Sequence, residues 1–123
     1  MESTKIQVSD PSRTIIDLLD DPSLGGGITP VFDFMETYLE SKHKDLNLLV
    51  EYAERMKNGA IFKRLGFILE LSKVKDPVLI KKIQSKISKG YSRLDPNLDC
   101  KRIIKKWNLK LSESWMREYD RKK

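Results

Sequence analysis

Apolar residues recur every three or four positions along most of the chain up to Gly90, the period of helices that bury one face. Asp10-Pro11 supplies a helix start, because the aspartate accepts from free amides while the proline at the first position has none to leave unpaired. The helix this opens runs from about Pro11 to Asp20, with Ile15, Ile16, Leu18 and Leu19 on one face. Asp21-Pro22 and Gly25-Gly26-Gly27 end it. Thr29-Pro30 predicts a second helix through about Lys42, carrying Phe34, Met35, Tyr38 and Leu39. Asp45 caps a third, with Leu48, Leu49, Tyr52, Ala53 and Met56, which Asn58-Gly59 closes. From Ala60 to about Lys73 the residues Ile61, Phe62, Leu65, Phe67, Ile68, Leu69 and Leu71 cover nearly the whole circumference, so this helix belongs at the centre. Asp76-Pro77 starts a fifth that buries Leu79, Ile80, Ile83 and Ile87, with Lys82, Lys86 and Lys89 along one flank.

Beyond Gly90 the period changes. Tyr91 to Pro96 is rich in turn residues, and Lys105 to Leu111 alternates, with Trp107, Leu109 and Leu111 on one side and Lys106, Asn108 and Lys110 on the other. That alternation predicts a strand with one wet face, and Lys5 to Val8 is a short candidate partner for it. Residues 112–123 read as a frayed helix or charged tail. The expected fold is a mostly α, single compact domain over residues 1–123, of about five helices, with a minor two-stranded β element formed by the chain ends. A length of 123 residues suits one core and not two.

Charge sharpens this picture. Residues 1–60 hold six Lys/Arg against eleven Asp/Glu, a net −5, while residues 61–123 hold eighteen against seven, a net +11. Such a split predicts an electrical dipole and an acidic partner, either nucleic acid or an acidic protein face. Lys82, Lys86 and Lys89 form one basic row, and Lys101, Arg102, Lys105 and Lys106 a second cluster near Trp107 and Tyr91. These seven are the candidate binding residues; the plain alternative is a solvated face. Catalytic, metal and cofactor sites are not expected. One cysteine, Cys100, and one histidine, His43, assemble neither a zinc cluster nor a serine triad. The glycine run lacks the Gly-Lys-Ser/Thr of a phosphate loop and has acidic neighbours, so a tight turn after a helix end is the reading there. Asp17, Asp20 and Asp21 lack calcium-loop spacing. Arg64, in the most apolar helix, is expected either to meet Asp17 or Asp10 or to extend to water. The N-terminus has no signal-peptide core and no segment is long and apolar enough for a membrane, so a cytoplasmic protein is expected.

Taken in order, these motifs resemble the C-terminal domain of the AbiEi antitoxin family of type IV abortive-infection toxin-antitoxin systems. The likeness begins at Val8-Ser9-Asp10-Pro11-Ser12-Arg13-Thr14-Ile15-Ile16-Asp17-Leu18-Leu19-Asp20-Asp21-Pro22 and passes through Gly26-Gly27 and Leu49-Val50-Glu51-Tyr52-Ala53. It continues in Lys63-Arg64-Leu65-Gly66-Phe67-Ile68-Leu69-Glu70 and closes with Gly90-Tyr91, Leu94-Asp95-Pro96 and Trp107-Asn108-Leu109. Asp10, Pro11, Arg13, Asp17, Arg64, Gly66, Asp95 and Pro96 are fold-making positions in this set, Gly66 by letting another backbone come close to the central helix.

The resemblance implies a non-enzymatic antitoxin or transcriptional-regulator domain that counteracts a cognate nucleotidyltransferase toxin, without the winged helix-turn-helix that precedes it in family members. Composition adds that recognition runs through the basic face. A rival reading is an accessory nucleic-acid-binding domain that contacts DNA phosphates without sequence preference.

Overall fold

The computed structural model describes residues 10–122. Helix α1 spans Pro11–Asp20, a short 3-10 turn Pro22–Gly25, α2 Ile28–Leu39, α3 Leu46–Met56, α4 Gly59–Leu71 and α5 Pro77–Gln84. Strands β1 (Ser92–Arg93), β2 (Arg102–Ile104) and β3 (Leu109–Leu111) follow, and α6 (Glu113–Lys122) ends the described chain. The fold is thus mostly helical, as expected. The described residues contain six α-helices rather than about five, and a three-stranded sheet rather than a two-stranded one.

Helix α4 is the centre. Residues Ile61 to Leu69 are all buried, and α1, α3 and α5 pack around it. Tyr38 on α2 joins three elements through one hydroxyl, which lies 2.7 Å from the Ser12 hydroxyl and accepts from the Asp45 amide at 2.8 Å. Asp10 caps α1 by accepting from the Ser12 amide at 2.9 Å, and its other oxygen accepts from the Tyr52 hydroxyl at 2.5 Å. That phenol holds the Asp10 carboxyl below its ordinary range. Asp45 and Asp76 cap α3 and α5 in the same local way.

Several expectations are corrected. Helix α2 starts at Ile28, before Thr29-Pro30, and ends at Leu39. Its N-cap Gly27 has no side chain to offer, and the Ile28 amide donates instead to Asp95, 2.9 Å away and 67 residues later. Asn58 does not close α3; Lys57 does so at φ 54°, while Asn58 caps α4 through the Ala60 amide. Helix α5 stops at Gln84, so Lys86, Ile87 and Lys89 lie beyond it. Lys105 to Leu111 is not one strand, because residues 105–108 form a turn, with Asn108 at φ 52° and its amide bonded to the Lys105 carbonyl.

β3 is the middle strand, parallel to β1 and antiparallel to β2. The sheet among the described residues comes from the segment 92–111, not from the two chain ends; Lys5 to Val8 lie outside the described residues. Leu109 and Leu111 still point inward as the alternation predicts, beside Trp107, all three fully buried. Residues 113–122 form a helix, one of the two expected alternatives, but it is docked rather than frayed. Trp115 of α6 meets Phe32 edge-on at 5.5 Å between ring centres, and Tyr119 lies 5.6 Å from Phe67.

Candidate functional site

The strand-bearing segment is tied to α4 by neighbouring cations. Lys63, only 1% exposed, donates to the Gly90 carbonyl at 2.9 Å and to the Ser92 hydroxyl at 3.0 Å. Burial, aided by the adjacent guanidinium of Arg64, lowers its ammonium pKa below the usual lysine value. Arg64 does not pair with Asp17 or Asp10, and no carboxylate lies within ion-pair reach of it among the described residues. Its guanidinium donates to carbonyls instead: Leu19 at 2.7 Å, Asp20 at 3.3 Å, and Arg93 at 3.1 and 2.9 Å. The expected pairing of Arg64 with Asp17 or Asp10 is therefore overturned, and so is its extension to water: the guanidinium meets the open carbonyl end of α1, whose partial negative charge suits a cation. Burial lowers the Arg64 pKa, while the nearby charges of Asp20, Asp95 and Asp21 oppose that shift.

Asp95 completes the clamp. Besides capping α2, it accepts from the Asn97 amide at 2.9 Å, which shapes the Asp95-Pro96 corner. Gly66 makes room for an indole, not for a backbone as expected. A Cβ there would fall 2.1 Å from the Trp107 ring, whose Nε1 donates to Glu70 at 3.0 Å. Arg13 is exposed on α1 and Asp17 half-buried.

Of the seven candidate binding cations, four face carboxylates. Lys86 meets Glu54 at 2.9 Å, Arg102 meets Glu113 at 3.1 Å, Lys101 meets Asp99 at 3.5 Å, and Lys106 contacts Glu70. Lys86, with a smaller contribution from Lys82, keeps the Glu54 carboxyl below its ordinary value. Lys82, Lys89 and Lys105 are exposed with no ion pair among the described residues. The expected row Lys82, Lys86, Lys89 does not share a helix face, because α5 ends before its second member.

The Gln84 side chain donates to the Lys106 carbonyl at 3.2 Å and so joins the end of α5 to the turn between β2 and β3. Beside this join lies a depression of about 460 Å³, with Val74, Pro77 and Ile80 on its apolar side, Lys75, Lys81 and Lys106 as its cations and Glu70 and Asp76 as its carboxylates. A larger one, about 640 Å³, lies between α2, the end of α4 and α6, where Arg117, Glu118 and Arg121 line it beside Phe32 and Trp115. Lys75 and Lys81 were not among the expected binding residues, and neither were Arg93 and Lys110 of the sheet. Lys81 adjoins Lys82, and Lys110 sits on the wet side of the alternating segment, so both signals were present in the sequence. Their grouping depends on tertiary pairing.

Among the described residues no set of three or more His, Cys, Asp or Glu side chains could hold a metal ion, and no helix is long and apolar enough to cross a membrane. Cys100 is a free, buried thiol 3.7 Å from the Asp95 carbonyl. No family model, no curated protein and no solved structure matches the chain.

Proposed function

We propose that this chain is a non-enzymatic antitoxin and regulator-type domain of the AbiEi kind, acting in the cytoplasm by recognising a cognate nucleotidyltransferase toxin. The ordered motif resemblance supports the family reading. The observation that supports the recognition mode is the depression between α4, α5 and the hairpin turn, where Val74, Pro77 and Ile80 lie beside Lys75 and Lys81; Asp76 and the ion pair of Lys106 with Glu70 complete the lining, so Lys75 and Lys81 are the cations without an ion pair among the described residues. Such a surface suits a protein segment that combines aliphatic and acidic side chains.

The test is capture of a nucleotidyltransferase encoded beside this reading frame by the tagged chain, together with rescue of growth when the two are coexpressed. Lys75→Glu with Lys81→Glu is expected to weaken capture about tenfold, mainly through association at low salt, and to reduce rescue. Capture that is unchanged in this variant removes the depression as the docking surface. No capture by the parent chain removes the antitoxin reading.

A further inference from the structure

The sheet has two faces of opposite character. Leu94, Leu109 and Leu111 are fully buried, and the Ser92 hydroxyl is held inside by Lys63. Strand alternation therefore turns Tyr91 and Arg93 outward. The register sets Arg93 opposite Lys110 and Lys110 opposite Ile103, giving one outward row across all three strands. Tyr91 is 45% and Ile103 47% exposed, and Lys105 follows two residues after Ile103. Arg93, Lys105 and Lys110 have no ion pair among the described residues. Arg93 makes a single side-chain bond, to the Pro96 carbonyl at 3.3 Å, and its own carbonyl is gripped by Arg64. The strand carrying it is thus fixed while its remaining donors face solvent.

We infer that this outer sheet face binds single-stranded nucleic acid, with Arg93, Lys105 and Lys110 on phosphates and Tyr91 stacked on a base. Pairing of the strands sets Arg93 and Lys110 about 5 Å apart, so both reach one extended polyanion together, with Lys105 in the turn that follows β2. A flat cationic face with an exposed aromatic ring is the arrangement that binds single strands without reading sequence. The apolar-floored depression assigned to the toxin differs in both residues and shape, so this inference goes beyond the antitoxin reading and stands apart from it.

Fluorescence anisotropy with a labelled oligouridylate of about 12 nucleotides, at salt from about 50 to 200 mM, tests it. The parent chain is expected to bind, and to bind a duplex of equal length more weakly. Arg93→Ala with Lys110→Ala should weaken single-strand binding about tenfold at low salt and reduce the logarithmic salt slope by about 1.4, two phosphate contacts' worth. Tyr91→Ala should weaken it about tenfold. If the first variant does not melt with the parent, Lys105→Ala with Lys110→Ala replaces it. The inference is overturned if the parent does not bind, if these substitutions leave binding unchanged, if duplex binds as tightly as single strand, or if a polyglutamate peptide competes as well as the oligonucleotide.

Discussion

Helices α1, α3 and α5 each begin on an aspartate that caps its own first turn two or three residues on, whereas α2 begins on an aspartate 67 residues away. The same contrast separates the helical layer from the segment 90–111. The helical layer is held by apolar faces that close on α4, while the strand segment adds polar anchors, Lys63, Arg64 and Asp95, that reach across to main-chain groups. Strands of two and three residues cannot hold themselves together, since even an isolated hairpin is marginal in water. Buried side chains bonded to backbone supply the missing constraint, and they leave the opposite face of the sheet free to carry unpaired charge.

Apart from Arg64 itself, the contrast can be broken most severely at the seam between the two regions. Gly66→Ala places a methyl against the Trp107 ring, which is fully buried and tied by its indole nitrogen to Glu70. Overpacking there is expected to cost about 3 kcal/mol in urea unfolding, with Trp107 emission moving to the red in the folded protein. Asp95→Ala comes next. It removes the cap of α2 and the corner bond to Asn97, for an expected loss of about 2 kcal/mol, whereas Asp45→Ala, a purely local cap, should cost about 1 kcal/mol. Equal losses for the two aspartates would remove the distinction between local and distant caps.

Lys63→Met gives the smallest effect and adds a pH dependence. Because burial lowers the Lys63 pKa, the unfolded chain binds more protons than the fold between that lowered value and the ordinary 10.5. Stability from this position therefore rises with pH across that window, and below it both states are protonated and the gain is absent. Parent and variant melts compared through the alkaline range should show the parent gaining on Lys63→Met as pH rises. A constant difference would mean that the ammonium is no more desolvated in the fold than in the unfolded chain.

Legibility in the sequence follows the same divide. Helices α1, α3 and α5 were readable because an Asp cap and a 3.6-residue period are local signals, and α4 was readable from its apolar run alone, its Asn58 cap having been read as the end of α3. The start of α2 was displaced because its cap arrives through tertiary structure. Lys105 to Leu111 mimicked a strand, since Trp107, Leu109 and Leu111 are all buried although a turn separates Trp107 from the strand. Residues 113–122 read as a frayed helix or charged tail because charged residues outnumber apolar ones, yet Trp115 and Tyr119, one turn apart, are enough to dock the helix. The basic row lost members because its carboxylate partners, Glu54, Glu70 and Glu113, come from other elements. Arg93 and Lys110 became neighbours only through the parallel pairing of β1 with β3.

Native-state amide exchange in Arg64→Met tests the anchoring most directly. The amides of Ser92 and Leu94 bond to the carbonyls of Asn108 and Lys110 at 3.0 and 2.9 Å, so they report on the strand segment, and those of Leu49 and Leu65 report on the helical layer. Loss of the guanidinium leaves the Leu19, Asp20 and Arg93 carbonyls without their donor, at about 1 to 3 kcal/mol for each group left unsatisfied. The expected result is that Ser92 and Leu94 lose protection well beyond any change at Leu49 and Leu65. Equal loss at all four amides, or undiminished protection at Ser92 and Leu94, would contradict the claim that cations on α4 hold the strand segment in place.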